Sequence, residues 1–318
     1  MKKTTIALSV FAALAGAAFA DDALTVYGKI NVSVQAVDEA NGDNFSEIKS
    51  NASRFGIKGK AKLNDGLEAF YKLEWEVDVT DKSKSSQDHL KSRNQVVGLK
   101  GGFGTVFVGR HDTPMKKAQK KIDLFNDYEG DIKHVINGEN RESNILQYST
   151  PKIGGALQFN IAMIPGEDPA NGQDSLTDAT SFSVTYNKND LYLALAQDTD
   201  VDGEGVDTTR IVGQYNMDKF QFGLLWETTD NGTTDADGFV LSGAMKMSGG
   251  NTLKLQYADS DIWQLGVSAK TKYSTMTSLG LDHKLSKKTK VFVWYTDGEL
   301  GATGDNDTFF AVGVEHKF

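Results

Sequence analysis

The chain has 318 residues, 34 Lys and Arg against 43 Asp and Glu, a formal net charge of −9, and no cysteine. That balance offers nucleic acid no counter-charge, and without thiols there is neither a disulfide framework nor a thiolate metal site. Beyond residues 1–20 no stretch is apolar enough to cross a membrane as a helix, which takes about 18 apolar residues or more.

Residues 1–20 read as an export signal. Met1-Lys2-Lys3 is a positive n-region, Ile6 to Phe19 an apolar core too short for an anchor, and Ala18-Phe19-Ala20 a small-x-small cleavage site. Cleavage after Ala20 leaves 21–318 as one domain. From Leu24 to Ala36 the even positions are apolar or glycine, while Thr25, Lys29, Asn31, Ser33 and Gln35 occupy the other face. From Leu67 to Val79 the odd positions are apolar and Glu68, Lys72, Glu74, Glu76 and Asp78 oppose them. This is the period of a strand whose two faces meet different surroundings. Similar segments are expected near 52–63, 92–101, 104–111, 143–150, 155–163, 180–188, 190–198, 208–217, 219–228, 238–247, 251–259, 262–270, 274–285, 289–297 and 307–318. The segment 262–270 lacks a fitting tight turn and is assigned to a loop, which leaves sixteen strands. Tight connections at Asn64-Asp65, Lys188-Asn189, Asp218-Lys219, Ser248-Gly249-Gly250 and Ser286-Lys287-Lys288 alternate with long polar ones. Long strands, short turns at one end and long loops at the other describe a transmembrane antiparallel β-barrel. A barrel of this size leaves an aqueous lumen, and an inner face rich in Lys, Glu and Asp needs water.

Several stretches resemble the general trimeric diffusion porins of Gram-negative outer membranes: Val26-Tyr27-Gly28-Lys29, Ser53 to Gly59, Ser92-Arg93 to Lys100, Phe103-Gly104 to Arg110, and the C-terminal Phe310 to Phe318. The resemblance spans the chain beyond its export signal. It implies an outer-membrane homotrimer that passively conducts ions and small hydrophilic solutes, set in outer-membrane lipid and lipopolysaccharide. The alternating Phe310, Val312, Val314 and Phe318 would be the signal read by the barrel-assembly machinery. Residues 112–142 have no strand period, long for a connection in a compact domain; by resemblance this third loop folds into the lumen and narrows it. Asp123 and Asp127 fall where the family's constriction carboxylates lie. Lys29 and Arg54 are lumen-facing by parity, and Arg93, Arg110 and Arg141 complete the expected basic wall. Lys116, Lys117, Lys120 and Lys121 depart from the family pattern and leave cation or anion preference open. The alternative within transport is a solute-specific channel.

Asp198, Asp200 and Asp202, followed by Gly203, open like a calcium loop, but Thr209 stands where that template needs a bidentate Glu. No cofactor is expected, and calcium on this loop is a weak candidate. The five histidines are scattered and no nucleophile or zinc motif appears, so an enzyme is not expected.

Overall fold

The computed structural model describes residues 24–80 and 90–318, so the expected export signal lies outside the described residues. Seventeen strand segments form one sheet that closes on itself. β1 (Thr25–Asp38) pairs antiparallel with β17 (Asn306–Lys317) on one side. On its other side it pairs first with β2 (Asn44–Ser50) and then with β3 (Arg54–Lys62). β2 and β3 are therefore one stave, interrupted near Ala52, whose φ of 48° is left-handed. That makes sixteen staves, each hydrogen-bonded to its neighbours in sequence. The sequence reading started the second stave at residue 52. Asn44, Ser46 and Ile48 share one face of β2, and a single apolar side chain there gives almost no period-two signal.

The remaining staves are β4 (Glu68–Val77), β5 (Leu90–Gly101), β6 (Gly104–Asp112), β7 (Arg141–Ser149), β8 (Leu157–Ile164), β9 (Ala179–Lys188), β10 (Leu191–Thr199), β11 (Asp207–Met217), β12 (Phe220–Asp230), β13 (Asp235–Lys246), β14 (Asn251–Ser260), β15 (Tyr273–Lys284) and β16 (Thr289–Leu300). Residues 262–265 form a 3-10 turn inside a long loop, as the assignment of that segment required.

Parity sorts the side chains. Leu193, Leu195, Ile211, Leu224, Leu241, Leu255 and Leu279 are all about half exposed on the outer face. A continuous apolar belt of that kind would be unfavourable in water and matches the lipid-facing surface of a membrane barrel. The inner face of the same sheet holds buried Asn31, Ser33 and Gln35 on β1 and Gln214 on β11. At the tight end, Asn189 (φ 53°) and Asp218 (φ 51°) adopt the left-handed backbone of two-residue hairpin turns. Asn and Asp tolerate that conformation better than most residues.

The third loop, 113–140, turns inward. Thr113 caps the short helix α1 (Pro114–Ala118) by accepting a hydrogen bond from the Lys116 amide, with Pro114 at the first helical position. Its apolar side chains, Met115, Ile122, Ile132 and Ile136 among them, pack against Tyr192, Val212, Leu225, Val240 and Met276 of the wall. Farther along, Tyr128 packs at 5.0 Å from the Phe292 ring and 5.7 Å from Trp294. Glycines in the wall make the fit possible. A Cβ on Gly223 would lie 2.6 Å from Ile122 Cδ1, and one on Gly280 would lie 2.9 Å from Phe125 Cε1.

Candidate functional site: a charged eyelet in the lumen

The loop crosses the lumen with one face dry and the other wet. Its dry face is pinned to the wall opposite β1 by polar anchors. Gln256 accepts from the Leu124 amide and donates to the Gly130 carbonyl, both at 2.8 Å. Lys254 Nζ donates to the Leu124 carbonyl at 3.2 Å, and Tyr192 Oη to the Ala118 carbonyl at 2.9 Å. The strongest anchor is Arg210, which has no exposed surface. Its Nε donates to Glu227 Oε2 at 2.7 Å, Nη1 to Glu139 Oε1 at 2.8 Å and Nη2 to the Asn137 carbonyl at 2.6 Å. Glu227 also accepts from the Asn137 amide at 2.7 Å. Asp202 receives the side-chain amides of Asn137 and Asn140, at 3.0 and 2.8 Å.

The wet face carries Asp127, held at a left-handed φ of 73°. Its carboxylate accepts from Lys29 Nζ at 3.0 Å and is ion-paired to Arg54. Burial works to raise the Asp127 pKa, but Lys29, Arg54 and Arg93 override it and hold the carboxyl down at about 2. Arg93 itself is clasped by Glu74 (3.2 Å) and Glu76 (2.7 Å). Arg141 sits beside Arg93's neighbour Asn94, donating to its Oδ1 at 2.8 Å and pairing with Asp112 at 2.8 Å. Two residues beyond Asp127 in the loop, Glu129 reaches β1 and β2 through Gln35 (3.1 Å) and Lys49.

Two water-accessible cavities meet at this point. One, of about 520 Å³, lies toward the long loops and is bounded by Arg93, Asp112, Lys117 and Arg141. The other, of about 490 Å³, lies toward the tight turns and is bounded by Lys29, Asp282, Lys290 and Lys317. Both are lined by Arg54, Lys121, Asn126 and Asp127, which therefore form the eyelet between them.

Of the expected constriction residues, the structure brings Lys29, Arg54, Arg93 and Asp127 together, with Arg141 just above. Asp123 borders the lower cavity but is turned into its own loop, accepting from the Phe125 amide (3.0 Å) and the Asn126 side chain (3.2 Å). Burial, with Asp131 and Glu139 nearby, raises its pKa well above the usual carboxylate value. Arg110 stands outside the group. It lies at a bulge where β6 meets β7, two residues on from outward-facing Val108, and donates to Ser143 at 2.7 Å. Regular alternation from Val108 already turns Arg110 outward, opposite Gln95, so its place in the basic wall, which came from resemblance, runs against the parity of its own strand.

The three aspartates of the calcium-like stretch do not converge. Asp198 is buried on the inner face of β10, Asp200 closes its own turn onto the Gly205 amide at 2.6 Å, and Asp202 holds the third loop. Sequence reasoning missed the Arg210 anchor. Half of it was available, since Arg210 and Glu227 share the inward parity of adjacent staves and stand directly opposite. The loop half, Glu139, has no periodic signature.

Comparison with known proteins agrees with this geometry. A family model described as Gram-negative porin matches residues 7–307. The outer membrane porin protein 32 of Delftia acidovorans is 29% identical over the full length of both chains. Among solved structures, the anion-selective porin from Comamonas acidovorans superposes with a TM-score of 0.77 at 22% identity, covering 94% of this chain and 100% of the other. OmpT of Vibrio cholerae in its trimer form gives a TM-score of 0.66 at 16% identity, covering 94% and 100%. The chain belongs to the Gram-negative porin family and forms an outer-membrane channel for the passive diffusion of ions and small hydrophilic solutes.

Proposed function

We propose that the eyelet formed by Lys29, Arg54, Arg93, Lys121 and Asp127 is the selectivity constriction, that it favours anions, and that the barrel works as a homotrimer. The observation that carries anion preference is the lining of the two cavities. Eight Lys and Arg side chains face four carboxylates in the upper cavity, and six face four in the lower. The chain as a whole is acidic, so its basic residues are concentrated on the path. Lys29 and Arg54 both contact Asp127, well inside the Debye length of about 8 Å at physiological salt, so an ion passing this point meets their summed field. The anion-selective porin of similar fold supports the reading.

The trimer is supported by the trimer form of OmpT. It is also supported by the apolar outer surface of the β1–β17 seam, where Val26, Val34, Val312 and Val314 are exposed. Phe310, Val312, Val314 and Phe318 alternate along that outer face, available to the barrel-assembly machinery before folding and to lipid and lipopolysaccharide after it. Single-channel recording across a salt gradient tests all three claims. Closure in three equal steps with a reversal potential of anionic sign is expected; a cationic sign sinks the selectivity assignment, and single-step closures sink the trimer.

A further inference from the structure

The apolar belt on the outer face is notched between β10 and β14. Two of its positions there are glycine, Gly213 on β11 and Gly243 on β13. Gly213 stands in register between Leu193 and Leu224, and Gly243 between Phe222 and Leu255, all four about half exposed. A glycine inside a strand weakens it, and usually marks a bulge, a sharp bend or the close approach of another group. The register runs unbroken from β10 to β14, and neither glycine has a left-handed backbone. Nor does packing within the barrel require them. A Cβ on Gly213 would meet only Leu193 Cδ2, at 3.8 Å, and one on Gly243 would meet nothing within 4 Å. Gly223 and Gly280, which admit the third loop from inside, are crowded by comparison. The two outer glycines instead open a groove of about 600 Å³ that runs from Leu191 on β10 to Leu255 and Tyr257 on β14.

The groove climbs from the tight-turn rim into the membrane. Leu191 is the first residue of β10, directly opposite Lys188 across the turn. Gly213 and Gly243 each lie five residues from their own tight turns, at Asp218 and Ser248. That is about 17 Å along the strand, the depth of acyl chains rather than headgroups. Across four strand spacings the groove is about 19 Å long. Two ammonium groups stand at the rim beneath it. Lys188 shares the outward parity of Phe182 and Tyr186 and is exposed. Lys219 Nζ lies 5.4 Å from the centre of the Phe220 ring, which stacks on Phe222 in the groove wall. The carboxylates of the same two turns, Asp190 and Asp218, fall on the lumen-facing parity of β10 and β11. We propose that the groove holds one acyl chain of an anionic glycerophospholipid from the leaflet on the tight-turn side, the periplasmic side in such barrels. Its phosphate sits at Lys188, and Lys219 adds to the field that favours a negative headgroup. A chain seated in the notch touches wall on both sides, whereas fluid lipid passing a flat wall touches it on one.

The test is native mass spectrometry of the folded barrel in detergent, offered an equimolar mixture of dioleoylphosphatidylglycerol and dioleoylphosphatidylcholine, which share their chains and differ in charge. One phosphatidylglycerol per barrel should stay bound, in about tenfold excess over phosphatidylcholine, as two lysines at the membrane surface imply. The variant G213L/G243L fills the notch without a clash inside the barrel. It should lose the bound lipid while keeping its heat-modifiable mobility and single-channel conductance, which show that it has folded. K188Q/K219Q leaves the apolar wall untouched, and should still hold one lipid but take the two kinds equally. Equal retention of both lipids by the unmodified barrel, or unchanged retention in G213L/G243L, overturns the proposal. Should the glycine variant fail to fold, the lysine variant decides alone, and an undiminished preference for phosphatidylglycerol overturns the headgroup assignment. Added lipid A retained in place of phosphatidylglycerol would give the groove to the other leaflet. Lipid-free pairing of barrels that G213L/G243L abolishes would give it to a second copy of this chain. Either result also overturns the proposal.

Discussion

Replacing Arg210 by Met should release the distal part of the third loop. Arg210 is fully buried, and its guanidinium is the partner of two carboxylates, Glu139 and Glu227, that are themselves 6% and 0% exposed. Methionine fills most of the volume but leaves both carboxylates uncompensated and the Asn137 carbonyl without its donor. Removing one partner from a buried charged group costs about 3–5 kcal/mol. Staying docked competes with releasing Glu139 into the aqueous lumen, which sacrifices the packing of Ile132, Val135 and Ile136, buried side chains of about 1.5–3 kcal/mol each. The two are of similar size, so the variant should populate a loosened loop while keeping the barrel. Limited proteolysis at 130–140, liposome swelling with sugars of increasing size, and the thermal midpoint measure it. Cleavage in the loop, faster entry of larger sugars and a lowered midpoint are expected. Burial already pushes the Glu139 pKa up in spite of Arg210, and losing the arginine raises it further. A carboxyl whose folded pKa is raised binds its proton preferentially in the folded state, so the deficit should shrink as pH falls and grow as pH rises. The control is R210M/E139Q/E227Q, in which no charge remains to be buried; it should recover much of the loss. If R210M leaves both swelling and stability unchanged, or if the triple variant is as damaged as the single one, the charge argument is wrong.

Asp127→Asn removes the one wall-facing carboxylate of the eyelet while keeping a residue that tolerates its left-handed φ of 73°; the reversal potential should move further to the anionic side, and an unmoved potential would separate Asp127 from selectivity. Because Lys29, Arg54 and Arg93 hold that carboxyl at about 2, the Asp127 contacts should hold from neutral pH down through the normal carboxylate range and fail only as pH approaches 2. Charge loss from Asp127 nearer pH 4, followed by carboxyl-selective NMR titration against D127N, would contradict that. Gly280→Leu sets a side chain where Phe125 already lies within 2.9 Å of a Cβ, so it should push the loop tip toward the eyelet and lower single-channel conductance, with unchanged conductance arguing that the tip has slack.

The period-two pattern made most of the barrel readable because each stave separates lipid from water, and that contrast imposes strict alternation. It failed where the contrast weakens. β2 has little apolar surface to reveal it, and Arg110 was placed by resemblance although alternation from outward Val108 turns it away from the lumen. Lys29 and Arg54 lay on regular strands, so their parity placed them in the lumen; Asp127 was placed by its resemblance to a family loop rather than by any period of its own. Asp123, four residues earlier in the same loop, turned inward to cap Phe125 and Asn126. Irregular backbone gives each carboxylate its own direction, and no spacing rule predicts it.

The loop thus uses charge in two ways that depend on water. Around Arg210 charge is dry and fully hydrogen-bonded, one guanidinium held between two carboxylates with each nitrogen matched to an oxygen at 2.6–2.8 Å. Such a cluster contributes little net stability over an apolar one, but a shifted loop would leave it unmatched, so it fixes position sharply. Across the lumen, around Asp127, charge is wet and unbalanced, with Arg54 and Lys121 bordering both cavities, Lys29 the lower one and Arg93 the upper. Excess charge there is tolerable because solvent screens it, and useful because a passing ion replaces part of that solvent. A buried anchor stripped of those matched hydrogen bonds would expel the loop, and an eyelet as closed to water as the anchor would discriminate nothing. The separation of the two clusters on opposite faces of one loop is what allows the constriction to be both rigid and charged.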